Sequence, residues 1–260
     1  MNKDNALQSS STHSSQGHVG YVHSIETFGS VDGPGIRYII FLQGCPMRCL
    51  FCHNPDTWKQ NKVKPMTADE LLDLAERYRT YWGEKGGITI SGGEALLQID
   101  FLIELFEKAH ARQINTCLDT SAQPFTRNGL WFTKFERLMK VTDTVLLDIK
   151  HIRDEEHRKL TKFTNHNILD CARYLSEIQK PVWIRHVLIP GITDNDEYLR
   201  ELATFLNTLH NIDRIDILPY HTLGTYKYDE LHLDYPLKGV EPPTQERIDN
   251  ANKIMESALK

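Results

Sequence analysis

The chain has 260 residues, of which 40% are hydrophobic and 25% charged, a composition typical of a globular protein. Its 30 Lys and Arg against 35 Asp and Glu give a formal net charge of −5, which argues against a broad nucleic-acid-binding surface. No stretch approaches the roughly 20 apolar residues of a membrane-spanning helix, so we expect no membrane association.

The first 18 residues are rich in Ser, His, Asn and Gln and contain no apolar segment typical of a secretory signal. We therefore predict a disordered polar tail over residues 1–18, a single domain over residues 19–260 and a cytoplasmic location. In a reducing compartment disulfides are not expected among the five cysteines, and the three that cluster within eight residues are expected to serve metal binding or chemistry.

Short apolar runs bounded by turn residues predict buried strands along the whole chain. These runs are Ile36–Gln43, Ile88–Ser91, Ile114–Asp119, Thr144–Ile149, Val182–Leu188 and Arg214–Leu218. Helical patterns alternate with them at Thr67–Trp82, Ile99–Arg112, Leu130–Lys140, Asn167–Gln179, Asp196–His210 and Gln245–Leu259. The first begins with the capping-box sequence Thr67-Ala-Asp-Glu70. This alternation predicts a parallel sheet, either open and doubly wound or an incomplete barrel of six units.

Residues capable of chemistry follow or end each of these strands. In chain order they are Cys45, Gly92-Gly93-Glu94, Asp119-Thr120, Asp148 with Lys150, Arg185 with His186, and His221. The carboxyl ends of parallel strands meet at one edge of the sheet, which is where such folds build their sites. The sequence therefore predicts a single site at one face.

The strongest signal is the segment Cys45-Pro-Met-Arg-Cys49-Leu-Phe-Cys52-His53. Clustered thiolates suit zinc or an iron–sulfur cluster. Structural zinc needs four protein ligands, and His53 adjoins Cys52, so it is poorly placed as the fourth. The c-type haem pattern Cys-x-x-Cys-His also matches, but it normally requires export and leaves Cys45 unexplained. We therefore favour a cubane cluster with one open iron, and we expect the solitary Cys117 and Cys171 to be buried apolar residues.

The spacing Cys-x3-Cys-x2-Cys resembles the cluster motif of the radical S-adenosylmethionine (SAM) enzymes, and Ser91-Gly-Gly-Glu94 resembles their second motif. Closer similarity is to the pyruvate formate-lyase activating enzymes, over about residues 20 to 245. The matching segments are Asp32-Gly-Pro-Gly-Ile-Arg37, Phe41-Leu-Gln-Gly-Cys45, Cys52-His-Asn-Pro-Asp-Thr-Trp58, Ser91-Gly-Gly-Glu-Ala95, Cys117-Leu-Asp-Thr120, Leu147-Asp-Ile-Lys150, Val182-Trp-Ile-Arg185 and Leu218-Pro-Tyr-His221.

This resemblance implies an α/β fold, the incomplete (βα)6 TIM-like barrel of radical SAM enzymes, with one [4Fe–4S] cluster and SAM as cosubstrate. The implied reaction cleaves SAM reductively to methionine and a 5′-deoxyadenosyl radical. That radical then abstracts a glycine Cα hydrogen from pyruvate formate-lyase (formate C-acetyltransferase) under anaerobic conditions. The implied partners are pyruvate formate-lyase and reduced flavodoxin or ferredoxin as electron donor, and we expect a monomer.

The same resemblance assigns roles to individual residues. Cys45, Cys49 and Cys52 would ligate the cluster, and Phe51 and His53 would lie near the adenine. Gly92, Gly93 and Glu94 would serve the methionine amino end, while Lys150, next to Ile149, and His221 would serve the carboxylate. Asp119, Thr120 and Asp148 would hold a monovalent cation, and Asp32 would meet the incoming glycine loop. Asp148 and Lys150 alternate along one strand end, so both can point the same way.

Each assignment has a simpler structural alternative. Asp119-Thr120 could cap a helix, Lys150 could be a surface lysine, and His221 could be a turn histidine. Asp32-Gly-Pro-Gly could be a plain turn, and Arg185 and Trp183 could be packing residues.

Three rival functions also remain. They are an activator of another glycyl radical enzyme, a radical enzyme for a small molecule, and a non-catalytic metal-stabilised module. Many activators of other glycyl radical enzymes carry a ferredoxin-like insert with extra cysteines after the first cluster motif. The chain has no cysteine between Cys52 and Cys117, so it lacks that insert.

Overall fold

The computed structural model describes residues 17–59 and 63–257. Within them, eight strands form one sheet in the order β3-β1-β2-β4-β5-β6-β7-β8. The strands are β1 (Val19–Gly29), β2 (Arg37–Leu42), β3 (Pro65–Thr67), β4 (Gly87–Gly92), β5 (Asn115–Thr120), β6 (Thr144–Asp148), β7 (Val182–Leu188) and β8 (Ile212–Pro219). The helices are α1 (Ala68–Glu76), α2 (Ile99–Ala111), α3 (Gly129–Lys140), α4 (Asp154–Thr161), α5 (His166–Glu177), α6 (Asp196–Leu206), α7 (Tyr226–Glu230) and α8 (Gln245–Glu256).

The strands β2 and β4 to β8 run parallel to one another, and helices occupy the connections between them. Within the described residues, β8 pairs only with β7, so it stands at one edge of the sheet and does not close onto β2. The expectation of an incomplete (βα)6 barrel is therefore confirmed.

Two strands at the other edge were not predicted. The strand β1 pairs antiparallel with β2, and the short β3 pairs antiparallel with β1. Along β1, buried side chains such as Val22 alternate with exposed ones such as Tyr21, so this strand lacks the continuous apolar run of a strand covered on both faces. Reading only continuous runs as strands therefore misses it.

Each of the six predicted helical patterns has a helix at its position, although several end earlier, and α4 and α7 are additional to them. The capping box at the start of α1 is confirmed, because the Glu70 amide donates to Thr67 Oγ1 at 3.2 Å and the Thr67 amide donates to Glu70 Oε2 at 2.8 Å. The helix stops at Glu76 rather than Trp82, and a separate 3₁₀ turn covers Arg79–Tyr81. The helix α6 likewise ends at Leu206 rather than His210.

The core lies between the parallel strands and the helices that cover them. Ile39, Ile40, Ile88 and Ile90 from the first two parallel strands are fully buried, as expected of strands covered on both faces. Each such side chain contributes about 1.5–3 kcal/mol by its removal from water. This core fixes the strands, and therefore the positions at which they end.

Both ends of the chain lie partly outside the described residues. Of the predicted tail over residues 1–18, only Gly17 and His18 are described, and the His18 amide donates to Glu104 Oε2 at 2.7 Å. The predicted extension of the last helix to Leu259 falls on residues outside the described range beyond 257. Among residues 17–59 and 63–257, no helix is both long and apolar enough to cross a membrane.

Candidate active site at the carboxyl ends of the strands

A cavity of about 490 Å³ opens at the carboxyl ends of the parallel strands. Its lining includes most of the residues predicted from the sequence, namely Asp32, Cys45, Cys49, Phe51, Cys52, His53, Gly92, Gly93, Asp119, Thr120, Asp148, Lys150 and His221. Glu94 and Ile149 are buried and do not line it. The strand-end rule accounts for residues as distant as Cys45 and His221 in one site, whereas Asp32 reaches the cavity from the turn before β2.

The cysteine segment is a loop after β2 that the rest of the fold holds in shape. The amides of Arg48 and Leu50 donate to the carbonyls of Thr161 (3.0 Å) and Leu160 (2.9 Å) at the end of α4. Arg48 Nη1 donates to the carbonyls of Cys45 (2.9 Å) and Met47 (2.7 Å). These bonds fix the loop backbone so that its three cysteines face the cavity.

The chemistry of the three thiols fits an iron–sulfur cluster. Burial raises the pKa of both Cys45 and Cys49 to about 12, and it also raises the pKa of Cys52. A buried thiolate therefore needs compensating positive charge, which iron supplies. Within residues 17–59 and 63–257, no three His, Cys, Asp or Glu side chains are grouped to hold a single metal ion. Cys45, Cys49 and Cys52 would instead hold a cubane cluster, in which no two of them need to ligate the same iron. Cys117 and Cys171 are buried, as expected, and do not line the cavity.

The glycine pair at the end of β4 is required by close backbone contacts. Gly92 has a φ of +128°, and a Cβ there would lie 2.2 Å from the Leu42 carbonyl oxygen. A Cβ on Gly93 would lie 2.3 Å from the carbonyl oxygen of Gly44. These contacts give the glycine pair a structural reason besides the role in SAM binding that the family resemblance implies. The end of β4 must pass directly against the start of the cysteine loop.

Glu94 is fully buried and its carboxylate is already saturated with hydrogen bonds. It accepts from the hydroxyls of Thr120 and Ser121, from the Ser121 amide at 3.0 Å and from the Leu96 amide at 3.0 Å. Burial raises its pKa, while these donors oppose the rise. In this arrangement Glu94 joins the end of β4 to the end of β5 and stands behind the cavity wall.

Alternating charges form the floor of the cavity. Lys150 Nζ lies 2.8 Å from Asp148 Oδ2, and Arg185 Nη1 lies 3.2 Å from Asp119 Oδ2 and 3.8 Å from Asp32 Oδ1. Burial raises the pKa of Asp119 to about 6, although Arg185 opposes the shift. Burial also disfavours the charge on Asp148, but Lys150 and Arg185 outweigh it and hold its pKa below the usual range.

These contacts decide between several of the simple alternatives. Asp119 caps no helix, because α3 begins only at Gly129, and it instead accepts from Ser91 Oγ at 2.6 Å. Lys150 faces the cavity rather than the outer surface, and Arg185 carries ion pairs there rather than merely filling space. The monovalent-cation site over Asp119, Thr120 and Asp148 stays a prediction.

Two imidazoles form the opposite wall. The rings of His53 and His221 stack with centroids 4.1 Å apart, and His53 Nε2 donates to the His221 carbonyl at 2.9 Å. Lys150 Nζ lies 5.4 Å from the centroid of the Phe51 ring. Flat rings beside a cationic group suit an aromatic base attached to a charged chain.

The chain was compared with known proteins. It matches the family described as the radical SAM superfamily over residues 39–203. It is 55% identical over 238 residues to the pyruvate formate-lyase-activating enzyme of Streptococcus mutans, covering 91% of this chain and 90% of that protein. It is 50% identical over 241 residues to the enzyme of that name from Listeria monocytogenes, covering 92% and 97%. The chain belongs to the radical SAM superfamily and, within it, to the pyruvate formate-lyase-activating enzymes.

Solved structures agree on the fold of this family. A domain of the pyruvate-formate lyase-activating enzyme from Bacteroides vulgatus superposes with a TM-score of 0.55 at 24% identity, covering 66% of this chain and 94% of that one. SuiB of Streptococcus suis, solved with its precursor peptide SuiA, gives a TM-score of 0.65 at 16% identity, covering 90% of this chain but 47% of SuiB. At these identities the likeness supports the fold alone.

Some residues of the site received no role from the sequence. Ser91 and Arg185 stand in the matching segments, and their polar side chains at strand ends were the signal available. Trp58 follows the cysteine segment in the chain. The Arg48 guanidinium stacks on the Trp58 ring, with its central carbon 4.7 Å from the ring centroid. The Tyr228 hydroxyl donates to the Cys52 carbonyl at 3.1 Å, although the two residues are 176 positions apart in the chain. No local sequence pattern predicts this contact.

Proposed function

We propose that this protein activates pyruvate formate-lyase by removing a Cα hydrogen from one of its glycines, which leaves a glycyl radical on that partner. The observation that carries this function is the convergence of Cys45, Cys49 and Cys52 with strand-end polar groups in one cavity. Membership of the family supports the same reaction, since the relatives at 50–55% identity bear this activity in their names.

Cys45, Cys49 and Cys52 would hold the [4Fe–4S] cluster. When bound, the cluster supplies the electron that cleaves SAM to methionine and a 5′-deoxyadenosyl radical. That radical would remove a hydrogen atom from the glycine Cα, and the products would be 5′-deoxyadenosine and the glycyl radical. The chemistry belongs to these groups, and the protein binds and orients them.

Different side chains around the cavity would bind different parts of SAM. The Lys150 ammonium, oriented by Asp148, offers the cation for the methionine carboxylate, and His221 offers a second polar contact. Gly92 and Gly93 bring backbone close to the amino end, held in place by Glu94. Phe51 and His53 lie where the adenine would pack, beside the last cysteine.

The substrate glycine would enter near Asp32. Asp32 lines the cavity and faces Arg185, whose guanidinium also faces Asp119. Apolar lining from Phe41, Met47, Val187 and Leu218 limits water around the reacting atoms, which protects a reactive radical from side reactions. We further propose reduced flavodoxin or ferredoxin as the electron donor, a monovalent cation between Asp119 and Asp148, and a monomeric enzyme.

The test is anaerobic and uses a matched pair of cysteine variants. The reconstituted, reduced protein is mixed with SAM and pyruvate formate-lyase, and the glycyl radical is measured by electron paramagnetic resonance with 5′-deoxyadenosine alongside. We expect both products from the unsubstituted protein, neither from Cys49→Ser, and both from Cys117→Ser, whose thiol is buried outside the cavity. 5′-Deoxyadenosine without a radical on pyruvate formate-lyase would instead indicate a different glycyl radical partner.

A further inference from the structure

The segment that follows β8 carries unusually exposed apolar side chains on a fixed backbone. We call residues 220–235 the rim segment. Leu223 is 78% exposed, the largest value among the exposed large hydrophobic residues of the described chain, and Tyr226 is 55% exposed. Scattered exposed apolar residues are common, so position and rigidity decide whether such a pair has a function.

The rim segment is fastened to the cysteine loop. Gly224 lies against the backbone of His53, where an added Cβ would come within 2.8 Å of the His53 carbonyl oxygen. Lys227 Nζ contacts Asn54 Oδ1 at 2.8 Å and Asp56 Oδ2 at 3.2 Å. The buried Tyr228 hydroxyl donates to the Cys52 carbonyl. Leu223 and Tyr226 are therefore presented outward by a segment whose other side chains hold it in place.

The same segment borders the entrance of the cavity. His221 lines the cavity, and the Leu223 amide lies 3.4 Å from His221 Nδ1. His53 and Asn54, which Gly224 and Lys227 touch, line it as well. Lys227 is already paired with Asp56, so its side chain serves to hold the segment, and Leu223 and Tyr226 offer apolar contact area beside the entrance.

We propose that Leu223 and Tyr226 form part of the surface on which intact pyruvate formate-lyase docks while its glycine segment occupies the cavity. This inference rests on the proposed function. A cavity of about 490 Å³ admits only a short segment of a folded protein, so the remainder of the partner must rest on the rim. A small-molecule substrate would need no such outer contact. Exposed aromatic and aliphatic side chains on a rigid segment suit protein docking, since little conformational entropy is lost on binding.

The experiment compares a rim variant with an equally exposed control. The rim variant combines Leu223→Ser and Tyr226→Ser, and the control is Leu130→Ser, which changes a 72% exposed leucine on α3 away from the cavity. Three reactions are measured, first with a chemical reductant and then with reduced flavodoxin in its place. They are 5′-deoxyadenosine formation without partner, glycyl radical formation on a short synthetic peptide carrying the partner's glycine sequence, and radical formation on intact pyruvate formate-lyase.

We expect the rim variant to lose about 10-fold in kcat/KM on the intact protein, mainly through KM, as for loss of an interface anchor. Its reactions without partner and with the peptide should be unchanged, and the control should match the unsubstituted protein throughout. Thermal unfolding checks that both variants fold.

Three results with the variants would overturn the docking surface. Equal losses on peptide and intact protein would show that the rim acts on the reaction itself. No loss on the intact protein would show that the partner does not touch it. A loss seen only when a reduced flavodoxin replaces the chemical reductant would assign the rim to the electron donor. If the unsubstituted protein forms 5′-deoxyadenosine but never a radical on pyruvate formate-lyase, the proposed function itself fails, and the docking proposal fails with it.

Discussion

Arg37 and Arg185 both extend from parallel strands into the interior of the barrel. Arg37 is surrounded by neutral hydrogen-bond acceptors, whereas Arg185 faces carboxylates. Arg37 starts β2 and is fully buried, with its donors on neutral acceptors such as Thr89 Oγ1 (2.9 Å) and Asn115 Oδ1 (2.8 Å). Further bonds go to backbone carbonyls, including those of Lys85 and Ile88. Arg185 in β7 keeps 18% of its side chain exposed and faces carboxylates across the cavity.

The difference separates a structural arginine from one that serves the site. Burial lowers the pKa of Arg37, whereas the Asp119 carboxylate raises the pKa of Arg185. The hydrogen bonds of Arg37 connect the starts of β4 and β5 to the turn before β2. None of these bonds can be given up to another partner without a loss of stability. Arg185 faces Asp119 and Asp32 beside open space, so it can change partners when a ligand enters.

A single turn connects these two roles. In the segment Asp32-Gly-Pro-Gly-Ile-Arg37, Asp32 lines the cavity while Arg37 holds the starts of the strands. The turn fits because Gly35 adopts a φ of +68° and approaches Gly86 so closely that a Cβ would lie 2.5 Å from its amide nitrogen. Asp32-Gly-Pro-Gly35 is therefore more than a plain turn, because its shape delivers Asp32 to the site.

The largest effect is expected for Arg37→Met. The change leaves several buried carbonyl and side-chain acceptors without a donor, and each such loss costs about 1–3 kcal/mol. We expect the free energy of unfolding to fall by about 3 kcal/mol or more, measured by urea denaturation of the protein under anaerobic conditions. An unchanged denaturation midpoint would remove the distinction between the two arginines.

For Arg185→Met we expect a large loss of activity and a smaller loss of stability than for Arg37→Met. Glycyl radical formation on the partner should fall about 100-fold, because loss of the cation disturbs the placement of Asp32 and Asp119. The urea midpoint should fall, but by less than for Arg37→Met, because Asp119, whose pKa burial already raises to about 6, can take up a proton when Arg185 is lost. Steady-state kinetics separate kcat from KM, and Arg185→Lys should recover part of the rate by restoring charge without the planar guanidinium. Equal destabilisation by Arg37→Met and Arg185→Met would contradict the comparison.

The smallest effect concerns His151, the neighbour of Lys150 on the side away from the cavity. Its ring is buried, Nδ1 accepts from the Arg153 amide at 3.1 Å, and Nε2 has no partner among the described residues. Burial lowers its pKa to about 4 from the ordinary 6.5. The folded state therefore favours neutral His151, and its contribution to stability is present above pH 6.5 and is lost as pH falls toward about 4.

Substituting His151→Gln removes this proton uptake on unfolding. We expect the variant's free energy of unfolding to depend less steeply on pH between about 6.5 and about 4 than that of the unsubstituted protein. Urea titrations at several pH values measure the two slopes. Identical slopes would show that His151 does not carry the difference; His157 and His186, whose pKa values burial also lowers, are the next residues to test.

The sequence alone was sufficient for the parallel part of the fold and for most of the site. Strands covered on both faces read as continuous apolar runs, and ligand residues collect at their carboxyl ends, so β2 and β4 to β8 and their end residues were predicted together. The cysteine spacing is local, so the sequence alone brings the three thiols close together, although backbone bonds to the end of α4 fix the direction in which they face. These features depend on neighbours in the chain or on the regular repeat of strand and helix.

Other features were decided only by tertiary structure. The half-exposed β1, the inward ion pairs of Arg185, the position of Glu94 behind the wall and the bond from Tyr228 to the Cys52 carbonyl all join segments that are distant in the chain. Which face a polar side chain presents depends on the register of strands and the path of loops packed against it. From the sequence one can infer that a charged residue in a buried strand needs a partner. Only the folded chain shows whether that partner is a neighbouring carbonyl or a group in the active site.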